Sequence, residues 1–214
     1  MFTGLIEEVG TVCEVHKSGS QSFIRIAAKK VLEGTKVGDS IAVNGVCLTV
    51  TEHDGSVFRA DVMNETLMRS SLGSLKSGSK ADLERAMPAD GRFGGHIVSG
   101  HIDGTGVISA IQKDGIAVRY TVSAESRLLR YIAEKGSVAI DGISLTVASV
   151  NDSSFSVSVI PHTAENTVLP LRKVGDTVNI ETDVIAKYIE KLLRPAPQKN
   201  SGVTMEQLAK NGFI

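Results

Sequence analysis

Short runs in which apolar and polar residues alternate dominate this chain. In the first half they are VGTVCEV (9–15), SFIRIAA (22–28), SIAVNG (40–45), CLTVTEH (47–53) and SVFRADV (56–62). In the second half they are GTGVISAI (104–111), IAVRYTVS (116–123), SVAIDG (137–142), SLTVASV (144–150), SFSVSVI (154–160) and DTVNIE (176–181). Period two marks strands with one buried face, and SGSQ, DGS and NG supply the breaks between them. Strands spaced about 8–12 residues apart suggest a closed or sandwich-like β unit in each half. Helical spacing is rarer. AESRLLRYIAEKG (124–136) sets Leu128, Leu129 and Ile132 on one side and ends at Gly136, predicting one helix per unit; its counterpart AAKKVLEGTKVG (27–38) is shorter and less regular.

The two halves also resemble each other residue by residue. SIAVNGVCLTV (40–50) returns as SVAIDGISLTV (137–147), and TGLIEEVGTV (3–12) as SGHIDGTGVI (99–108). Aligning 40–86 on 137–183 gives 14 identities in 47 positions, where chance gives roughly three. Two units this large are a duplication of globular domains, not a solenoid. AMPADGRFGGHIVSGH (86–101), with Pro88, Gly91, Gly94 and Gly95, reads as the linker, which divides the chain into 1–96, 97–193 and a tail, 194–214. DVIAKYIEKLLR (183–194) predicts a helix with Val184, Ile185, Tyr188, Ile189 and Leu192 on or near one face, to be buried on its own barrel or in an oligomer-forming bundle. PAPQKNSG (195–202) reads as a flexible linker and VTMEQLAKNGFI (203–214) as a short terminal helix.

Composition narrows the function classes. In 214 residues the net charge is −1 and only 4% are aromatic, which argues against a nucleic-acid groove or an anionic-membrane partner. The two cysteines, Cys13 and Cys47, have no counterparts in the second half, so a disulfide framework is not expected. No apolar run approaches the roughly 18 residues of a membrane span, and MFTGLIEEVG carries Glu7 and Glu8 where a signal peptide is apolar. The chain reads as cytoplasmic. His16, His53, His96, His101 and His162 lack metal-ligand spacing, and no Walker loop, GxGxxG or GxSxG is present. No metal site is expected, and no nucleotide-cofactor signature is present.

Candidate chemistry lies where the copies agree or pointedly differ. NGVCLTV and DGISLTV suit hairpin turns running into strands; beyond that structural role, Thr49 and Thr146, near Cys47 and Ser144, could present hydroxyls into a barrel mouth and bind a flat polar heterocycle. DVMNET (61–66) against SVIPHT (158–163) keeps Thr66 and Thr163 but exchanges Glu65 for His162 at a strand end followed by a turn. In GGHIVSGHIDGTG (94–106), His101 aligns with Leu5. Sites that differ by one titratable group could divide their roles.

MFTG, NGVCLTV, GGHIVSGHI and IDGISLTV, in order within a two-fold repeat, strongly resemble riboflavin synthases of the alpha-chain type over residues 1 to about 194. The resemblance implies a mainly all-β fold of two six-stranded antiparallel Greek-key barrels plus a C-terminal α-helix, assembled as a homotrimer through such helices. It implies a transferase that dismutates two 6,7-dimethyl-8-ribityllumazine molecules by four-carbon transfer, as the last step of riboflavin biosynthesis, with the shared site between barrels of neighbouring subunits. It is also compatible with transient association with lumazine synthase. By motif, Ser40, Cys47 and His101 match the family's polar or acid–base candidates, and Phe2 supports the site by packing. Binding positions matched in the first barrel are Gly4, Leu5, Ile6, Cys47, Leu48, Thr49, Asp61, Val62, Met63, Asn64, Glu65 and Thr66. In the second they are Gly100, His101, Ile102, Lys135, Ser144, Leu145, Thr146, Ile160, Pro161, His162, Thr163, Ala164 and Glu165. A carboxylate is expected at His162. The main rival is a non-catalytic lumazine- or flavin-binding protein of the same architecture, for which one working pocket would suffice.

Overall fold

The computed structural model describes residues 1–18, 21–193 and 205–213. In it the alternating runs close on themselves. Strands β1 (Glu8–His16), β2 (Phe23–Ala27), β3 (Ser40–Val43), β4 (Val46–His53), β5 (Val57–Asp61) and β6 (Lys80–Arg85) form a closed barrel in the order β1-β2-β5-β4-β3-β6. Strands β7 (Gly104–Asp114), β8 (Ala117–Ser123), β9 (Ser137–Ile140), β10 (Ile143–Val150), β11 (Ser154–Val159) and β12 (Thr177–Thr182) repeat that order around a second one. Closure, not a sandwich, is thus the outcome, with every strand pair antiparallel. Bulges sit at equivalent places in β1 and β7 and in β4 and β10, where an extra residue sharpens the bend that closure needs. The interiors are filled: Ile24, Ile26, Ile41, Phe58 and Leu83 are fully buried in the first barrel, and Ile108, Ile140, Phe155, Val157 and Ile180 in the second.

The helices depart from expectation. The 124–136 segment gives only α2 (Ser126–Leu129); after it Tyr131 N–H donates to Leu128 O and Ile132 N–H to Leu129 O. These tighter three-residue turns point Leu128, Leu129 and Ile132 all inward. Its counterpart is a single 3-10 turn, Lys30–Leu32. Conversely, the strand ends at 61 and 159 lead into short helices, not turns: α1 (Asn64–Arg69) and α3 (Pro161–Glu165), the latter opened by a proline whose fixed φ suits a first helical turn.

The β3–β4 and β9–β10 hairpins turn at Asn44-Gly45 and Asp141-Gly142, all four residues with positive φ (44° and 77°; 47° and 85°). This type I′ geometry is what Asn-Gly and Asp-Gly accept. The turns also meet: a Cβ on Gly45 would stand 2.6 Å from Gly142 N. Around them lies a buried polar layer on the repeat's two-fold axis. Asn179 Oδ1 accepts from Ser71 N–H at 2.6 Å, while Asp82 Oδ1 accepts from Val168 N–H at 2.8 Å, so each barrel's last strand caps the other's 3-10 turn. Asn179 Nδ2 donates to Asn44 O at 2.8 Å.

Its partner by symmetry, Asp82 Oδ2, is buried without a hydrogen bond among the described residues. Burial pushes the Asp82 carboxyl well above the usual range, opposed by the Val168 N–H and reinforced by the charge of Asp141. A carboxyl raised in the folded state favours folding below its unfolded pKa and loses that contribution as pH climbs towards the folded value. Asp82→Asn removes this dependence and places an amide where, by symmetry with Asn179, it can donate to Asp141 O. Chemical denaturation at pH 5 and pH 8 should find the variant about 1 kcal/mol or more stabler at pH 8, with a smaller gain at pH 5.

Residues 1–184 form one compact unit and 185–214 another. The second contains nearly all of α4 (Val184–Leu193), whose Ile185, Tyr188, Ile189 and Leu192 are each more than half exposed, and α5 (Met205–Lys210). The expected 195–202 linker lies outside the described residues. Among the described residues no helix is long and apolar enough to cross a membrane.

Candidate active site

The N-terminal segment and the interdomain segment cross over. Phe2 and Val98 pair back to back, N–H to O in both directions at 2.7 and 3.1 Å. Beyond this bridge each segment runs onto the opposite barrel. Gly4 O accepts from Ser144 N–H of β10 at 2.8 Å, and Gly100 O from Cys47 N–H of β4 at 2.9 Å. Ile6 packs on the core of the second barrel and Ile102 on that of the first. Gly4–Ile6, expected among the binding positions of the first barrel, thus lie against the second, and Gly100–Ile102, expected with the second, lie against the first.

A carboxylate fixes each crossing. Glu84 accepts from Thr3 N–H, Thr3 Oγ1 and Gly4 N–H at 2.7, 2.8 and 3.0 Å. Glu181 accepts from Ser99 N–H, Ser99 Oγ and Gly100 N–H at 2.6, 2.7 and 2.9 Å. Both are buried, and burial pushes the Glu84 carboxyl upward against those three donors. These clamps set the segments' register. They were absent from the expected site, although Glu84 and Glu181 are one of the 14 identities between the copies.

The crossing closes a cavity of about 360 Å³ on the outside of the first barrel, within the range of small-ligand pockets. Its walls come from three places: Val46 and Cys47 on β4; Met63, Glu65, Thr66, Arg69 and Ser70 around α1; and Gly100, His101 and Ile102 on the crossing segment. The barrel interior itself is filled by packed side chains. Cys47 and Thr49 belong to the outward face of β4, while Leu48 points into the core. His101 is exposed at the rim, its N–H on Ser99 Oγ at 3.3 Å, and Glu65 forms an ion pair with Arg69 at 3.1 Å.

Not every expected residue joins them. Ser40 pairs with Thr49 across β3 and β4, one step along the same face from the Ala42–Cys47 pair, and does not line the cavity. Asp61 pairs with Arg59 at 3.1 Å, Asn64 accepts from Ser22 Oγ at 2.8 Å, and Val62 is core. At the second barrel the equivalent outer position is Ser144, half-buried beside Gly4–Ile6, with Leu145 inward and Thr146 exposed. Ile160, Pro161, His162 and Glu165 are exposed around α3, Thr163 is half-buried, and Ala164 packs on the core. Lys135, with φ of 64°, sits in the turn before β9, its N–H on Val147 O. Phe2 is fully buried in a cluster with Ala42, Val98 and Ala139.

Residues 3–86 and 99–183 each match the lumazine binding domain family. Over the whole chain and the whole of each relative, identity is 54% to the riboflavin synthase of Actinobacillus pleuropneumoniae and 44% to that of Bacillus subtilis. The chain belongs to the riboflavin synthase family. The crystal structure of LumP complexed with 6,7-dimethyl-8-(1'-D-ribityl) lumazine superposes with a TM-score of 0.77 at 23% identity, covering 85% of this chain and 99% of that one; it shares the fold. For a riboflavin synthase family member the matched segments begin where the crossing begins: residues 3 and 99 are the first positions held by the two carboxylate clamps.

Proposed function

We propose that this protein is a riboflavin synthase, a transferase that converts two molecules of 6,7-dimethyl-8-ribityllumazine into riboflavin and 5-amino-6-(ribitylamino)pyrimidinedione. The observation that carries this reading is the crossed pair of segments, which equips two related barrels with chemically different surroundings: Cys47 and His101 at one, Ser144 and Leu5 at the other. A substrate that reacts with itself needs two like sites whose groups are unlike. Holding two flat heterocycles in register supplies orientation, worth several orders of magnitude in effective concentration. The chemistry needs addition at C7 of one lumazine, loss of a C7-methyl proton from the other, and proton transfers as the four-carbon unit leaves. His101, an imidazole at the rim of the first cavity, is the group placed for those transfers.

Mixed with 6,7-dimethyl-8-ribityllumazine, the protein should generate one riboflavin for every two lumazines consumed. Binding without development of riboflavin absorbance would instead establish the non-catalytic ligand carrier. His101→Gln should lower kcat by about 100-fold while lumazine affinity changes less than about threefold; equal losses in both would make His101 a binding residue.

The same reading includes a cytoplasmic homotrimer, with the productive site formed between barrels of neighbouring subunits, and transient association with lumazine synthase. Support comes from the unburied apolar face of α4, which matches a helix that packs against its copies. A chain ending at residue 182 should sediment as a smaller species and lose riboflavin formation. An active monomer would overturn the shared site.

A further inference from the structure

At the second barrel one histidine is unaccounted for. His96 lies in the crossing region, its backbone N–H on Thr3 O at 3.1 Å, and its ring Nδ1 stands 2.7 Å from Ser144 Oγ. The other ring nitrogen, Nε2, is buried without a partner among the described residues. Ser144 occupies the place that Cys47 holds in the first barrel, on the outward face of its strand beside the crossing segment, where Cys47 lines the first cavity.

The ring's single proton can be placed. Burial holds His96 below its ordinary pKa against the charges of Asp183 and Glu181, so the neutral imidazole prevails at pH 7. A neutral ring has one N–H and one acceptor nitrogen. A proton on Nε2 would create a buried N–H with nothing to receive it. On Nδ1 it meets Ser144 Oγ and leaves a bare acceptor, the more commonly tolerated orphan. With His96 donating, the Ser144 O–H must point elsewhere.

We propose that His96 is a positioning residue of the second site, donating from Nδ1 to Ser144 Oγ and thereby holding the Ser144 O–H as a donor to an acceptor atom, a ring nitrogen or carbonyl oxygen, of a bound pyrimidinedione heterocycle. This rests on the lumazine reading above. It gives the barrels distinct hydrogen-bonding characters, since the Cys47 thiol is a weak donor. The sequence comparison pointed to His101 because it aligns with Leu5; His96 falls outside both aligned segments and carried no such signal.

The test is a cycle of His96→Phe, Ser144→Ala and the double variant, with kcat and KM measured for 6,7-dimethyl-8-ribityllumazine, or its Kd by fluorescence titration if wild type does not turn it over. With Ser144 present, His96→Phe should cost about 3- to 10-fold in kcat/KM or Kd, the worth of one directed hydrogen bond; in the Ser144→Ala background it should cost less than about twofold. His96→Asn, which keeps an N–H near the Nδ1 position, should recover most of the loss, separating hydrogen-bond direction from packing. In wild type, nitrogen-15 spectra of the His96 ring should show Nδ1 protonated. Equal loss in both backgrounds, no loss at all, or a proton on Nε2 would overturn the assignment. A coupled cycle read in Kd from a protein that forms no riboflavin would sink the enzyme reading while leaving His96 in place.

Discussion

Gly100→Ala should cost the fold about 3 kcal/mol and cut riboflavin formation by about 100-fold. Gly100 has a φ of 82°, which costs an L-residue about 1–2 kcal/mol. Its Cβ would also stand 2.5 Å from Cys47 Cβ, 2.9 Å from Phe2 Cε2 and 3.0 Å from Cys47 N. Two of those atoms belong to the strand that forms the cavity floor and the third to a fully buried ring, so relief must come from moving the crossing segment; overpacking of this sort adds about 1–3 kcal/mol. A displacement of about 1 Å in a positioning element is enough for a 100-fold loss in rate. Gly34→Ala is the control: φ is 79° but nothing lies within 4 Å of its Cβ, so it bears the backbone cost alone. If thermal melts lower both variants equally, the close approach at Cys47 is not what the glycine is for.

Arg172→Leu should destabilise the protein by about 3 kcal/mol, the lower end of what is lost when one member of a buried ion pair is removed. Asp141 is fully buried and takes Nε and Nη2 of Arg172 at 3.1 and 2.5 Å, together with Asn179 N–H at 2.9 Å. Burial pushes the Asp141 carboxyl up even with Arg172 opposing it. Without the guanidinium the folded carboxyl rises further, so the deficit relative to wild type should be small near pH 4 and widen towards neutrality. Asp141→Asn in the same chain should restore most of the loss. A deficit of the same size at pH 5 and pH 8 would show that Arg172 acts by packing alone. The first copy has already made this double exchange: 97 residues earlier, Asn44 stands for Asp141 and Leu75 for Arg172.

How much of this the sequence reveals depends on whether a feature is local. Alternation marks eleven of the twelve strands described but not β6, Lys80–Arg85, and Asn-Gly and Asp-Gly announce their own turn type, because each depends on a few adjacent residues. The 124–136 helix was overestimated since Leu128, Leu129 and Ile132 satisfy helical spacing, yet the same three side chains are buried equally well by tighter turns. Of the binding positions that the family resemblance implies, Cys47, Met63, Glu65, Thr66, Gly100, His101 and Ile102 line one cavity. That the last three reach it from the other half is not legible in the sequence, because no local rule says that a segment leaves its own domain. Glu84 and Glu181 were visible as an identity between the copies but not as clamps, since their partners lie about 80 positions away.

The crossing also describes how the two halves are joined. Two like domains that trade equivalent arms have the architecture of a domain-swapped dimer. Here one covalent chain carries both partners, so the exchange is intramolecular and its effective concentration does not depend on how dilute the protein is. Tethering has a second effect. In a swap between identical chains every substitution appears twice, once on each side of the axis. Within one chain each side accepts changes alone, and that freedom is what allows Cys47 to face Ser144, His101 to face Leu5 and Asp141 to recruit an arginine that Asn44 does without.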